Sequence, residues 1–233
     1  MITERLVLEQ ENNSELIRLH LARYEFAKGF VSGKKVLDVA CGSGYGSAIL
    51  KEAGAAKVIG LDISSDTIKY ASAHFQNRGI EFVVENAEDL SSYRDFDVIV
   101  SFETIEHLQH PETFLLEITR ALTPNGILII STPQHEKTRF GNPNNPFHVR
   151  EWTLEEFETL LSKDFNLLNV YGQYGFGKKW FPYSRTVQRL FCRALFPERL
   201  ANIDSYPVLA QPPRFKVFQL DLAYMVIVCA AKN

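Results

Sequence analysis

Cysteine is scarce in this chain and scattered. Cys41, Cys192 and Cys229 are odd in number, lie far apart and form no CxxC pair. That pattern excludes a disulfide framework and a cysteine-based zinc site, and it sets a reducing compartment, the cytosol, as the expectation. Long apolar runs are also missing. None approaches the ~20 residues of a membrane span, and the opening MITERLVLEQENNSE lacks the apolar h-region of a signal peptide. There is no surplus of positive charge: 25 Lys and Arg stand against 28 Asp and Glu, so bulk attraction to nucleic acid is not favoured. No internal repeat or low-complexity tract interrupts the chain. Its 233 residues, 45% of them hydrophobic, suffice for one core, and a single domain over 1–233 is expected.

Strand and helix signals alternate. KKVLDVA (34–40), AKVIGLDI (56–63), IEFVVEN (80–86), FDVIVSF (96–102) and GILIIST (126–132) read as buried strands. Between them run helical stretches at 46–54, 64–79 and 111–126, with Pro111 at a helix start. A helix over 153–163 opens on Thr153 and Glu156 in capping-box spacing, and strands follow at 165–175 and 219–232. An N-terminal helical stripe covers 14–30. The alternation predicts an α/β fold: a doubly wound, mostly parallel seven-stranded sheet with helices on both faces and an insertion before the last strand.

The first strand runs into LDVACGSGYG (37–46), with glycines at 42, 44 and 46. A strand, a glycine-rich turn and a helix aim backbone N–H groups at a ligand. The dinucleotide fingerprint GxGxxG is not met, because Ser47 stands where the third glycine belongs. Asp38 would repel a pyrophosphate but attract an ammonium group. Asp62, ending the second strand 20 residues after Gly42, suits a ribose diol. The pocket therefore calls for a ribose, an adenine-like ring and a cationic tail without phosphate. S-adenosylmethionine has those parts.

These residues resemble the class I, Rossmann-like S-adenosylmethionine-dependent methyltransferases, the broad family that includes ubiquinone-pathway methyltransferases. The motifs LDVACGSGYG, VIGLDIS, ENAEDL, FDVIVSFETIEHL and LTPNGILIIST occur in the family's order. The resemblance implies a cofactor site made of Asp38, Ala40, Gly42, Ser43 and Gly44 at the methionine end. Asp62 would meet the ribose, Ile63 the adenine face, and Asn86, Ala87 and Glu88 the adenine edge, with Phe102 and Glu103 at the methyl-donor end. The N-terminal segment 1–33 is similar to a helical lid, with Arg23 and Tyr24 as lid contacts.

After the fourth strand, Glu103, Glu106 and His107 form a Glu-x-x-Glu-His pattern seen in ubiquinone-pathway O-methyltransferases and small-RNA 2′-O-methyltransferases. In some of these the two Glu, the His and a later His bind a divalent metal. Here the later one would be His148, with His135 and His110 as alternatives, and Mg²⁺ or Mn²⁺ suits such ligands. Three roles stay open: a metal site of Glu103, Glu106, His107 and His148; catalysis by Glu103, His107 and His148, with a histidine as base; and a structural end to the strand. The expected acceptor is a small molecule, with a hydroxyl of a sugar or glycan precursor ahead of a phenol or quinone precursor. A nucleic-acid 2′-O-methyltransferase, a non-catalytic S-adenosylmethionine sensor and a nicotinamide oxidoreductase are the rival readings.

Residues 176–218 break the alternation. They hold eight Lys and Arg against Glu198 and Asp204, interleaved with aromatics. This insertion reads as a substrate-side segment that would meet an anionic acceptor or a membrane surface, or as an amphipathic lid with a solvated basic face.

Overall fold

The computed structural model describes residues 14–135, 139–140, 145–174, 209–210 and 222–232. The strands are β1 (Lys35–Val39), β2 (Lys57–Asp62), β3 (Ile80–Val84), β4 (Phe96–Phe102), β5 (Leu122–Pro133), β6 (Arg139–Phe140), β7 (Arg150–Glu151), β8 (Phe165–Tyr174), β9 (Leu209–Ala210) and β10 (Leu222–Ala231). The helices are α1 (Ser14–Ala27), α2 (Tyr45–Glu52), α3 (Ser65–Phe75), α4 (Pro111–Ala121) and α5 (Leu154–Leu161).

The main sheet has the order β3-β2-β1-β4-β5-β10-β8-β9. The pairs β3–β2, β2–β1, β1–β4 and β4–β5 are parallel, while β10 runs antiparallel to both β5 and β8. Seven strands carry the sheet, and the two-residue β9 adds a short edge against Gly172 and Gln173. A separate pair, β6 with β7, was not anticipated from the sequence. The order turns around at β1, which lies between β2 and β4. In such sheets the crevice for ligands opens beyond the strand ends at that reversal.

Period-two alternation divides the core. Leu37, Val39, Ile59, Leu61 and Ile99 pack on one face against Phe114, Ile118, Phe157 and Leu161 of α4 and α5. Val36, Val58, Val98 and Val100 pack on the other with Tyr24 and Ala27 of α1 and Ala48 and Leu50 of α2. Asp38, between Leu37 and Val39, is thereby turned toward α1 and α2.

Element ends depart from expectation where backbone chemistry overrides periodicity. The α4 helix stops at Ala121, not near 126. Leu122 is extended (φ −73°, ψ 149°), Thr123 precedes Pro124, and a residue before proline is pushed out of the α region. Leu122 instead pairs with Phe96. The 64–79 stretch is α-helical only to Phe75, then tightens into a 3-10 turn that ends at Gly79 with φ +74°. The expected capping box at Thr153 and Glu156 is present. The 176–218 insertion lies outside the described residues apart from Leu209–Ala210, as does the first part of the expected N-terminal lid. No helix among the described residues is long and apolar enough to cross a membrane.

Candidate active site at the ends of β1, β2, β4 and β5

The turn after β1 is built on left-handed backbone. Ala40, Gly42 and Gly44 have φ of 60°, 55° and 83°. A Cβ on Gly44 would come within 2.7 Å of the Ala71 side chain and 2.9 Å of the Phe82 ring, whereas one on Gly42 would meet nothing within 4 Å. Gly42 thus faces open space and Gly44 is packed from below. Ser43 between them is buried. Asp62 secures the turn from β2: Oδ2 accepts from the Gly42 N–H at 3.1 Å and Oδ1 from the Ser64 N–H at 2.9 Å. The next residue, Ile63, is 66% exposed, unusual for a large aliphatic side chain. Asn86 makes a local turn by accepting from the Glu88 N–H, Ala87 packs at the rim of the core, and Glu88 accepts from the His110 N–H at the head of α4.

Below the turn lies Asp38, fully buried. Its Oδ1 accepts from the Tyr24 hydroxyl at 3.0 Å and its Oδ2 from Ser47 Oγ at 2.6 Å. Burial pushes its pKa up to about 6, against the two hydrogen bonds, which favour the charged form. Tyr24 also stands edge-on to Phe102, with ring centroids 5.0 Å apart. Its ring occupies the space where a Gly46 Cβ would be, 2.0 Å from that position. Arg23, the neighbouring residue of α1, is 1% exposed. It donates to Gln173 Oε1 at 2.7 Å, comes within 4.0 Å of Glu103 Oε1 and lies over the Tyr224 ring. Arg23 and Tyr24 thus join α1 to β8, β1 and β4.

The acid and histidine group begins where β4 ends. Glu103 is itself left-handed (φ 53°), and its Oε1 accepts from Ser131 Oγ at 2.8 Å. A 3-10 turn, Ile105–His107, then buries Glu106 completely. Glu106 Oε2 accepts from Thr132 Oγ1 at 2.9 Å, while Oε1 has no hydrogen-bond partner among the described residues. Burial raises the pKa of both carboxyls, Glu106 well above the ordinary range, with Glu103 adding to it by like charge. Single ligating atoms of Glu106, His107 and His148 all lie within 4.8 Å of one another. His107 Nδ1 is 3.0 Å from Phe147 O, and the His107 and His148 rings meet edge to face at 4.9 Å. His148 arrives on the loop before β7, which is tied in by the Val149 N–H bond to Glu106 O.

The structure brings together three of the four residues expected to ligate a metal. Glu103 lies just outside that close group, engaged by Ser131 and close to Arg23, yet near enough to interact electrostatically with Glu106, His107 and His148. His135 faces Glu151, with Nε2 2.9 Å from Oε2, and His110 heads α4, so neither alternative joins the cluster. Sequence reasoning missed Ser131, Thr132, Gln173 and Glu151. The signal for the first two was a Ser-Thr pair closing the apolar run GILIIST. Gln173 and Glu151 carry no local signal, since their partners are distant in the chain or defined only by the loop's shape.

Residues 37–130 match a family profile described as "Methyltransferase domain". A probable S-adenosylmethionine-dependent methyltransferase of Mycolicibacterium smegmatis is 32% identical over 161 residues, 68% of this chain and 62% of that protein. The chain thus spans about three-fifths of that relative's length. A ubiquinone biosynthesis O-methyltransferase of Maricaulis maris is 35% identical over 104 residues, covering 43% of this chain and 41% of its own. Among solved structures, the 1,6-didemethyltoxoflavin-N1-methyltransferase of Burkholderia thailandensis, with bound S-adenosylhomocysteine, superposes with TM-score 0.61 at 18% identity, covering 91% of this chain and 79% of its own. Motif order, strand order and relatives agree, and the chain belongs to the class I, Rossmann-like S-adenosylmethionine-dependent methyltransferases.

Proposed function

We propose that this protein transfers a methyl group from S-adenosylmethionine to a hydroxyl group of a small-molecule acceptor. The observation that carries this reading is the cluster of Glu106 and His107, one turn past Phe102, with His148 from the loop before β7. A hydroxyl acceptor has to lose its proton, and imidazoles beside a buried carboxyl are suited to take it. An amine acceptor has only to be neutral when it attacks, which is a smaller demand.

The residues fit the cofactor on two counts: the space at Gly42 is open, and Ile63 presents an exposed aliphatic face beside the Asp62 carboxylate. The Gly42–Gly44 backbone would hold the methionine end over Asp38, Asp62 the ribose hydroxyls, Ile63 the adenine face, and Ala87 and Glu88 its edge. When bound, S-adenosylmethionine supplies an electrophilic methyl group. The chain's own part is orientation and exclusion of water, with α1 closing the site through Arg23 and Tyr24.

The Glu106 oxygen that has no partner among the described residues favours a second reading of the same cluster. Oxygen and imidazole donors suit Mg²⁺ or Mn²⁺, which would supply Lewis acidity at the acceptor oxygen. Glu106, His107 and His148 would hold the ion. Titration with Mn²⁺ separates the two readings: binding that Glu106→Gln abolishes supports the ion, and no binding leaves the histidines as bases.

The name of the Maricaulis relative supports transfer to oxygen, and with it a phenol or quinone precursor as acceptor. The sugar-hydroxyl expectation draws no support from these relatives and is not carried forward. The test is label transfer from methyl-tritiated S-adenosylmethionine to a panel of catechols, phenols, sugars and amines. Transfer to phenolic oxygen that His148→Ala lowers ~10²–10⁴-fold is expected. Transfer to amines alone would overturn the hydroxyl assignment.

A further inference from the structure

Arg23 is a cation in the interior. It is 1% exposed, and a buried guanidinium is costly unless a counter-charge stands close. Its Nη1 donates to Gln173 Oε1 at 2.7 Å, and its Nε meets no acceptor among the described residues. The guanidinium carbon lies over the Tyr224 ring, 4.6 Å from the centroid. Gln173 and Tyr224 are cross-strand partners in β8 and β10, and Gln173 Nε2 donates to Leu19 O of α1. None of these groups is charged. The acid within ion-pair reach among the described residues is Glu103, whose Oε1 lies 4.0 Å from Arg23 Nη2. Glu103 is also clamped on β5. Its backbone is left-handed (φ 53°), its N–H donates to Ser131 O at 3.2 Å, and Ser131 Oγ donates to the same Oε1 at 2.8 Å. Among the described residues no hydrogen bond reaches Oε2, and the side chain keeps 15% of its surface open. Glu103 lies close enough to His107 and His148 to interact with both.

We propose that Arg23 is a positioning residue for methyl transfer: with Ser131 it holds Glu103 Oε1, and so leaves Oε2 to accept a hydrogen bond from the acceptor's hydroxyl group. The proposal rests on the transfer to a hydroxyl proposed above. Arginine suits the role because its planar fork sets two donors in a fixed relation, Nη1 on Gln173 and Nη2 toward Glu103. A lysine ammonium would keep the attraction but not both contacts. A left-handed residue other than glycine and a buried cation each cost stability. Here the two meet at the end of β4, beside the histidine pair, and backbone strain of this kind collects at functional sites.

The test is a double-mutant cycle of Arg23→Met and Glu103→Gln on the full chain, read in urea unfolding and in kcat for the best acceptor of the panel. In unfolding, the two losses should fall short of additive by ~10-fold or more in the folding equilibrium constant, since the second substitution removes the charge that the first leaves unpaired. Additive losses overturn the proposal. In turnover, Arg23→Met should lower kcat ~10²-fold in the wild-type background, the cost of a misplaced group, and should cost little more once residue 103 is Gln. Arg23→Lys should recover part of that kcat. A residue that only packs α1 would lower kcat equally in both backgrounds, or in neither, and either result overturns the proposal. Arg23→Gln, which keeps a donor for Gln173 but drops the charge, takes the place of the methionine variant if that chain does not fold. Failure of the wild type to bind S-adenosylhomocysteine would overturn the methyltransferase reading, while the unfolding cycle, which needs no ligand, still decides whether Arg23 and Glu103 act together.

Discussion

Asp38 shows what the site costs the fold. Its carboxyl is buried with two hydroxyl donors, and its pKa stands at about 6 against an ordinary value of 3.8. The folded chain therefore keeps this proton up to about pH 6, while the unfolded chain releases it near pH 4. Between those limits the folded state binds more protons, so stability from this group falls as pH rises. The difference amounts to about 3 kcal/mol above pH 6. Asp38→Asn, which keeps the size and lets Tyr24 and Ser47 reorient as partners, should raise the urea midpoint at pH 7.5 by about 1–3 kcal/mol equivalent. The gap over wild type should close by pH 4. A variant less stable than wild type at pH 7.5 would show that the carboxylate is a net stabiliser. A buried carboxylate kept despite that burden argues that its charge serves the ligand, as expected at sites that trade stability for function.

The α1 helix is the element that side-chain contacts tie to both β1 and β8. It is fixed by two buried contacts made by neighbouring residues. Tyr24 fills the space left by Gly46 and bonds Asp38, while Arg23 bonds Gln173, which in turn donates to Leu19 O. Gly46→Ala would drive a methyl group into the Tyr24 ring and should destabilise the protein by about 1–3 kcal/mol, as overpacking does. Combined with Tyr24→Ala the two costs should not add, because the second change removes the clash that causes the first. Additive losses in a double-mutant cycle would mean that the two residues do not meet. Gln173→Leu strands the Arg23 guanidinium. Amide exchange along α1 should then quicken ~10-fold or more, by about the cost of an unpaired buried polar group, with β1 and β4 unchanged. Uniform quickening across the sheet would assign Gln173 to the core and not to the helix. The α1 stripe was legible in the sequence, and Arg23 and Tyr24 were expected only as lid contacts. Their partners were not, because Gln173 and Glu103 lie far along the chain and only the strand order brings them near.

At the scale of the whole molecule, the sequence was most informative where local chemistry and global fold agree. Strands buried on both faces read as continuous apolar runs, and Gly42, Gly44 and Asp62 announced the left-handed turn after β1. The reversal of strand order at β1 then places Phe102 and Glu103 beside that turn. Where two weak local signals compete, the sequence was less clear. The end of α4, the short β6, β7 and β9 strands and the separation of Glu103 from the histidine cluster all follow from pairings that no window of residues contains. Family membership follows from motif order, but the acceptor does not, since one fold serves many acceptors.

The most direct test of the account is calorimetric titration of the full chain with S-adenosylhomocysteine, alongside Asp62→Ala and His148→Ala. The account predicts saturable binding to the wild type, unchanged for His148→Ala and weakened by about 1–3 kcal/mol for Asp62→Ala, the cost of stranding the ribose hydroxyls and the Gly42 N–H. No binding to the wild type, or equal binding to Asp62→Ala, would contradict it.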